Sequence, residues 1–220
     1  MWPCPHASAG ATVGSVTSRR VYHHGDLRRA LLDGVLALFA ERGRFDFTMR
    51  ELARAAGVTH NAPYRHFKDR WALLDALAAE GFEELRMRYL EAAALHARRA
   101  RDPRARVVKM GVAYVGFAAD HPNHFRLMFL RPLEGASPEL GEAARATFAV
   151  LREAISDAAA AGYLRSGVAE DDVALTAWSL VHGIASLVVG GQLRRGALTA
   201  RIAEIFAGGA FVRGKAPAGR

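Results

Sequence analysis

The segment from Thr48 to Arg70 constrains the fold more than any other stretch of this chain. Thr48 is a good helix N-cap, because its hydroxyl accepts a hydrogen bond from an unpaired N–H of the first turn. An apolar stripe at helical spacing follows, and Gly57 can take the left-handed conformation that ends a helix. Thr59 then predicts the cap of a second short helix that runs to about Phe67. Two short helices joined by so tight a turn predict a helix-turn-helix, which places its second helix in the major groove of DNA.

The same segment resembles the DNA-binding signature of the TetR family of transcriptional repressors. The matching residues lie in order and without a gap: Thr48, Leu52, Ala53, Ala56, Gly57, Val58, Thr59, Tyr64, His66, Phe67, Lys68, Leu73 and Leu74. Pro63 departs from the pattern, since the family more often has an aliphatic residue there. A proline costs little in a first turn, because most N–H groups there lack partners. The resemblance implies a sequence-specific transcriptional regulator, a repressor that a small molecule releases from its operator.

The chain is basic, and its charge is uneven. Its net charge is +8. Residues 1–70 hold 11 lysines and arginines against 6 acidic residues, whereas residues 71–220 hold 19 against 16. A basic balance favours polyanion partners such as DNA, although a generally basic surface is the alternative. Within the basic half, Arg28, Arg29 and Arg44 are candidates for diffuse attraction to DNA, but for each of them an ordinary solvated arginine is the favoured interpretation.

Helical periodicity dominates the sequence, and no period-two run or Asn-Gly turn predicts a strand. We therefore expect an all-α protein of about nine helices. The predicted domains are a disordered tail at 1–20, a helix-turn-helix domain at 21–68, a helical effector-binding and dimerisation domain at 69–213, and a tail at 214–220. The single cysteine, Cys4, excludes a disulfide within the chain and suits a reducing cytoplasm.

The helix boundaries follow from capping residues and breakers. The first helix is predicted at about 24–42. Asp69 can cap a long helix at 69–99 that connects the two domains. Ser137 can cap a later helix with Pro138 at its first position, and Gly162 ends that helix. The remaining helices are predicted at about 103–119, 122–130, 170–193 and 198–212, with a loop at 132–138.

Side chains at the start of the second helix of a helix-turn-helix point at base edges. The candidates here are Thr59, His60, Asn61 and Ala62. Asn61 can bond an adenine edge in two places, and Ala62 can contact a thymine methyl. The alternative is structural: Thr59 only caps the helix, and His60 and Asn61 are merely solvated.

The resemblance implies further DNA contacts. Arg50 matches a family position that can reach a base, and an arginine suits the two acceptors of guanine. The family positions that contact phosphates correspond to Thr48, Tyr64, His66, Lys68 and Arg70. Such contacts position the protein without reading sequence. We also expect the ring of Tyr64 to pack in the bundle while its hydroxyl is exposed.

A bundle this small makes few DNA contacts alone, and specific binding usually comes from two copies on half-sites about one DNA turn apart. We therefore expect a twofold homodimer on a palindromic double-stranded operator. The last two helices supply more apolar surface than one side of a core needs. The candidate interface residues are Leu180, Ile184, Leu187, Val188, Ile202, Ile205 and Phe206. The alternative is that they all belong to the core of one chain.

The C-terminal half carries a weaker resemblance, to TetR-like regulators with a Trp…His-Gly element in the penultimate helix. It rests on WSLVHG at 178–183 and HPNHFRLMF at 121–129. The resemblance implies a small molecule bound between helices, which shifts the connecting helix. The candidate pocket residues are Tyr114, Phe117, Phe125, Met128, Phe129, Trp178 and His182. Core packing is the alternative for each. The expected effector is a small apolar or amphipathic ligand of unknown identity, and no cofactor is expected.

Other functions are weighed against this one. A metal sensor is one alternative, because His121 and His124 lie three residues apart and His96 and His182 could join them as ligands. No cysteine or carboxylate cluster completes such a ligand set. An enzyme would need a nucleophile elbow, a phosphate-binding glycine loop or paired carboxylates, and the sequence has none of these. An activator, or a regulator without a ligand, stays open because the effect depends on where the operator lies.

A membrane span is a further alternative. Residues 173–193 contain no charge and are just long enough to cross a bilayer. They include hydroxyl, histidine and glutamine side chains, which are unfavourable in lipid. A helix that is apolar on all sides is typical of one buried between a core and a partner subunit, and no membrane partner is expected.

Overall fold

The computed structural model describes residues 27–97, 102–194 and 196–211, and these residues are almost entirely helical. Within them, one isolated antiparallel bridge joins Leu164 and Phe211, and no strand forms. The predicted all-α class is confirmed. The α-helices are α1 (Leu27–Arg42), α2 (Met49–Ala55), α3 (Arg70–Ala97), α4 (Pro103–Asp120), α5 (Pro122–Met128), α6 (Pro138–Ala160), α7 (Glu170–Val189) and α8 (Ala197–Ala210).

With a 3₁₀ helix at Ala62–Arg65, the described residues hold nine helical elements, in agreement with the predicted number of about nine. The expected tails at 1–20 and 214–220 lie outside the described residues, as does the predicted start of the first helix at 24–26.

The N-terminal helices α1 and α2 and the 3₁₀ helix pack into a small unit, which we call the reader bundle. Thr48 caps α2 as predicted: its hydroxyl accepts from the Glu51 N–H (3.2 Å), and the Glu51 carboxylate accepts from the Thr48 N–H (2.7 Å). This reciprocal pair is a capping box. After α2, Gly57 has φ of 68°, the left-handed conformation that the sequence predicts for the turn.

The second helix of the motif differs from the prediction. A helix from Thr59 to Phe67 was expected, but the structure has only the 3₁₀ helix at Ala62–Arg65, with Asn61 at its N-cap and no side-chain capping bond. Pro63 explains the difference, because it has no N–H to donate to the Thr59 carbonyl and disfavours the α conformation in the residue before it. The N–H groups of Ala62 and Tyr64 instead donate to carbonyls three residues back, at 2.9 and 3.2 Å.

Helix α3 connects the reader bundle to the rest of the chain. It begins after Asp69, whose carboxylate accepts from the Ala72 N–H at 2.8 Å, as predicted. Its first turns bury Leu73, Leu74 and Leu77, and the helix packs along α4, α5 and α6. Because one continuous apolar core includes residues of both halves, α3 belongs to both.

Helices α4 to α8 form the second unit, which we call the effector bundle. Ser137 caps α6 by accepting from the Leu140 N–H at 3.2 Å, and Gly162 follows α6 with φ of 75°, both as predicted. Helix α7 ends at Val189, earlier than the predicted 193. The reason is the Gly190-Gly191 pair, since Gly191 takes φ of 78° and turns the chain away.

Helix α7 is the one described helix that is long and apolar enough to cross a membrane, with 20 residues and a mean hydropathy of 1.5 in its most apolar window. It packs against α4, α6 and α8, and 33% of that window is buried. Its outer side leaves Leu175 and Leu187 exposed. Part of the apolar character of α7 is therefore used inside the bundle, and part faces outward.

The capping box predicts a measurable contribution to stability. Thr48→Ala removes the hydroxyl that accepts from Glu51 N–H, so the free energy of unfolding should fall by about 1 kcal/mol in urea denaturation. Thr176→Ala is the matched control, since the exposed Thr176 hydroxyl only donates to the Asp172 carbonyl inside α7. Equal losses in the two variants would contradict the capping role.

Candidate nucleic-acid interface and effector cavity

The candidate base-reading residues lie together on an outer face of the reader bundle. Thr59, His60 and Asn61 are exposed in the turn before the 3₁₀ helix, and Ala62 is half-buried at its start. None of the described residues covers this face. Three polar side chains with donors and acceptors are thus presented to the outside, as contact with base edges requires.

The candidate phosphate-contacting residues surround that face. Tyr64 is 52% exposed, so the expectation that its ring packs in the bundle is wrong. Tyr64 lies within the 3₁₀ helix that replaces the predicted α-helix. His66 and Lys68 are also exposed, beyond the 3₁₀ helix.

Thr48 differs from the other candidates, because its hydrogen-bonding groups are already used. Both its N–H and its hydroxyl donate to the same Glu51 oxygen, at 2.7 and 3.0 Å. These two bonds lower the pKa of Glu51, with a smaller contribution from the Arg42 guanidinium. A phosphate at Thr48 would have to displace this carboxylate.

Arg70 is held in place at the start of α3. Its guanidinium carbon lies 5.5 Å from the centre of the Phe47 ring and 5.3 Å from that of Trp71. Its Nε is buried without a hydrogen-bond partner among the described residues. Two aromatic rings therefore hold this cation in position, and its outer nitrogens make no hydrogen bond with a described residue.

The other arginines of the reader bundle divide into paired and unpaired groups. Arg29 bonds Asp33 and Glu80 at 2.6 and 2.8 Å, which fits its interpretation as a surface arginine. Arg50 is exposed on α2, and so are Arg54 and Arg65, which sequence reasoning missed. None of these three makes an ion pair with a described residue. The sequence feature that could have identified Arg54 and Arg65 is the excess of basic residues within the motif itself.

An apolar cavity of about 650 Å³ lies in the effector bundle, between α3, α4, α6, α7 and the loop from α5 to α6. Four of the seven candidate pocket residues line it, namely Tyr114, Met128, Phe129 and Trp178. Phe117, Phe125 and His182 are not among the lining residues, although the rings of Phe125 and His182 pack against Tyr114 and Phe129, which are. Sequence reasoning missed the wall residues contributed by the connecting helix, which are Phe82, Leu85 and Tyr89.

Trp178 and His182 meet the same hydroxyl group. Tyr114 Oη lies 2.8 Å from His182 Nδ1, and Trp178 hydrogen-bonds to Tyr114 as well. An indole N–H only donates, so the phenol oxygen accepts from Trp178. The direction of its bond with His182 follows the tautomer of the imidazole. Burial raises the pKa of Tyr114 far above its ordinary value, and the bond from Trp178 offsets part of that rise. Burial also lowers the pKa of His182, so both groups are neutral at pH 7.

The remaining histidines of the effector bundle pack against their neighbours. Arg88 Nη2 lies 2.9 Å from His121 Nε2, which must accept this bond because a guanidinium only donates. Burial, with the neighbouring His121 as a second cause, lowers the pKa of His124. The part of the chain that the structure describes contains no group of three His, Cys, Asp or Glu side chains able to hold a metal ion. The side chain of His96 lies outside that part.

A buried ion pair fastens the loop from α5 to α6 onto the connecting helix. Asp75 of α3 is 4% exposed and accepts two 2.6 Å bonds from Arg131 Nη2. The same carboxylate accepts from the Ser137 N–H at 2.7 Å, and Arg131 also stacks 5.0 Å over Trp71. Sequence reasoning missed this pair, whose one signal was an acidic residue amid the apolar positions Leu74 and Leu77.

The ion pair also borders an open groove of about 950 Å³ between the reader bundle, α3 and the start of α6. Its walls carry both signs of charge, with Lys68 and Arg131 facing Glu83 and Glu139. The smaller cavity, whose walls are mainly apolar, is the better candidate for an effector site.

The candidate dimer residues are partly accessible on α7 and α8. Leu187 is 46% exposed and Ile205 68% exposed. Ile184 is only 6% exposed, so it belongs to the core of one chain. The half-buried members are Leu180, Val188, Ile202 and Phe206. Together they leave an apolar face on the last two helices that no described residue covers.

Comparison with known proteins places both halves in one family. A family model described as bacterial regulatory proteins of the tetR family matches residues 31–77. A second model, described as a tetracyclin repressor-like C-terminal domain, matches residues 107–208. The two matches together cover about two thirds of the chain.

Curated relatives match this chain over part of their length. The HTH-type transcriptional repressor Rv1474c of Mycobacterium tuberculosis is 41% identical over 63 residues, which are 29% of this chain and 34% of that protein. An HTH-type transcriptional regulator of Haemophilus influenzae is 34% identical over 119 residues, or 53% of this chain and 55% of that protein. The chain thus spans about a third to about a half of the length of these relatives.

A solved structure matches over nearly its whole length. It is a protein of unknown function from Rhodococcus sp. RHA1, 36% identical, with a TM-score of 0.72 over 87% of this chain and 98% of that chain. With the two family models, this agreement extends over the reader bundle and the effector bundle alike. The chain belongs to the TetR family of bacterial regulatory proteins.

Proposed function

We propose that the protein is a homodimeric, sequence-specific DNA-binding regulator that represses transcription and leaves its operator when a small ligand fills the effector cavity. The observation that carries this proposal is the exposed face of Thr59, His60 and Asn61, bordered by exposed cations, on a motif of the TetR family. Such a regulator acts where the chromosome lies, in the cytoplasm, and needs no catalytic group of its own.

The division of DNA contacts follows from the positions of the side chains. Thr59, His60 and Asn61 are exposed at the turn, Ala62 is half-buried beside them, and these four residues would read base edges. The 3₁₀ winding supports contact through the turn itself, because a helix of four residues offers only one turn to the groove. Arg50 would reach a base from α2.

The phosphate contacts would come from residues on both sides of that face. Tyr64, His66 and Lys68 are exposed, and Arg70 is oriented by its two aromatic neighbours. Thr48 contributes mainly by capping α2, because its donors are already bonded to Glu51. These groups would set the register of the protein on the duplex.

Dimerisation supplies the second reader bundle. The apolar face of α7 and α8 includes Leu187 and Ile205, which are too exposed to stabilise a single chain. Burying such a face against its copy removes apolar area from water and fixes the separation of the two reader bundles. Both effects are required for affinity to a palindromic site.

Ligand release would act through α3, because this helix lines the effector cavity and also supports the reader bundle. A ligand shifts an equilibrium only by its differential affinity for two conformations. Filling the cavity against Phe82, Leu85 and Tyr89 favours the arrangement of α3 that leaves the most room there. That arrangement would alter the spacing of the two reader bundles.

Activation and ligand-independent regulation are the alternatives within the same class. Whether binding represses or activates transcription depends on where the operator lies relative to the promoter. Footprinting with purified protein on its own upstream DNA, followed by in vitro transcription, distinguishes repression from activation. A protein that protects no site would reject the proposed function altogether.

The basic reader bundle predicts a steep dependence of DNA affinity on salt. Each phosphate neutralised by a cation adds about −0.9 to the slope of log K against log salt, so Lys68→Gln should make the slope shallower by about 1. Gel shifts at several salt concentrations measure it. Lys109→Gln, an exposed lysine on α4, is the matched control and should leave the slope unchanged.

Base reading and phosphate contact predict different outcomes for neighbouring residues. Asn61→Ala should relax preference at one base pair at a cost of about 1–3 kcal/mol, whereas Tyr64→Ala should weaken binding to all sequences. Binding to a randomised DNA library, read as a sequence logo, separates the two. Asn123→Ala on α5 serves as the control, and an unchanged logo for Asn61→Ala would contradict the base-reading role.

The exposed face of α8 predicts a dimer that one charge can break. Ile205→Glu places an unpaired carboxylate in the apolar interface, which costs several kcal/mol and should weaken the dimer at least ~100-fold. Sedimentation equilibrium would then report the mass of one chain. Met87→Glu, an equally apolar exposed position on α3, should remain dimeric.

A further inference from the structure

The walls of the effector cavity carry charge of one sign only. Arg131 and Arg145 are among the lining residues, and no aspartate or glutamate is. The other walls are apolar and rich in rings, contributed by Phe82, Tyr89, Tyr114, Phe129, Phe148 and Trp178. An apolar cavity with cations at one side is complementary to an apolar molecule with an anionic end.

Arg131 occupies the partition between the cavity and the open groove, since it lines both. On the groove side its guanidinium is bonded to Asp75, and its Nη1 donates to the Gly135 carbonyl at 3.3 Å. An arginine has a long side chain with a fixed fork of donors that suits a carboxylate bidentately. A carboxylate in the cavity would therefore offer Arg131 a second partner of the same kind as Asp75.

We propose that the effector is an apolar molecule carrying one carboxylate, and that Arg131 exchanges Asp75 for this carboxylate when the molecule binds. The inference rests on the proposed function and specifies its ligand and its switch. Arg145, which is exposed and pairs with Glu142, adds a second cation at the same side of the cavity.

The exchange would reach the reader bundle through Asp75. This carboxylate lies in the second turn of α3, five residues after Arg70, and also accepts from the Ser137 N–H at the start of α6. When Arg131 leaves, the buried carboxylate keeps a single neutral donor and is poorly compensated. The arrangement of α3 against α6 that stabilises the unliganded state then loses its advantage, and the reader bundle moves with α3.

The ligand chemistry is tested by paired probes on the full chain. Decanoate is compared with 1-decanol, and 2-naphthoate with 2-naphthol, by isothermal titration calorimetry at pH 7. At least one acid should bind about tenfold more tightly than its neutral partner. Equal affinities within both pairs would overturn the proposal.

The role of Arg131 is tested by variants with matched controls. Arg131→Gln should abolish the preference for the acid, so that the acid and its neutral partner bind with similar affinities. Arg152→Gln, an exposed α6 arginine outside the cavity, should keep the full preference. An acid preference that survives Arg131→Gln in protein with native circular dichroism would overturn the exchange.

Asp75→Asn distinguishes an exchanged ion pair from a purely structural one, because the two roles predict opposite changes in the affinity for the acid. The amide keeps the shape of the side chain and an acceptor for Ser137, but it competes weakly for Arg131. Acid affinity should rise several-fold, and by a larger factor than the affinity for the neutral probe. A fall in both affinities would mean that Asp75 only supports the fold, which contradicts the proposal.

Gel shifts without any probe separate this inference from the proposed function. If the unliganded protein binds no DNA, the proposed function fails whatever the calorimetry shows. If it binds DNA and the acids have no advantage, only the carboxylate exchange fails.

Discussion

The shared apolar face of α3 is the interaction on which the rest of the structure depends. Its first turns bury Leu73, Leu74 and Leu77, its middle turns bury Phe82 and Leu85, and all five belong to one apolar core that also contains residues of the reader bundle. Because a packed core deforms little and tends to hold discrete arrangements, a helix fixed at both ends transmits displacement from one end to the other. The cavity and the exposed face of the reader bundle are therefore linked through one helix, which is what the proposed ligand release requires.

Buried polar groups are placed where α3 meets α6 and the preceding loop. Among the described residues, Asp75 and Thr147 are the buried polar side chains. Thr147 of α6 donates to the Phe82 carbonyl of α3 at 2.8 Å, and Asp75 binds Arg131 and Ser137. A buried hydrogen bond adds modest stability when made and costs more when left unpaired. These contacts therefore specify the position of α3, and they suit a switch better than apolar contacts, since a ligand can compete for their partners.

The local sequence was sufficient to predict the backbone conformation wherever that conformation depends on one or two residues. Thr48, Asp69 and Ser137 cap helices as predicted, and Gly57 and Gly162 take the left-handed conformation. The predicted bounds of the second helix of the motif were wrong. Pro63 was expected to cost little in a first turn, but the structure has only a short 3₁₀ helix around it. The pocket was predicted in part, since aromatic spacing on α7 and α5 identifies candidates but does not tell a wall residue such as Phe129 from a core residue such as Phe125.

The sequence by itself determined the helical class, the capped boundaries and the family, because these follow from periodicity, hydrogen-bonding side chains and an ordered motif within short stretches of chain. Only the tertiary structure decided which side chains border the cavity, that Tyr114 joins Trp178 to His182, and that Asp75 holds Arg131 from 56 residues away. Contacts between distant residues depend on how whole helices pack, and this packing is set by the sum of many small apolar contacts rather than by any local pattern.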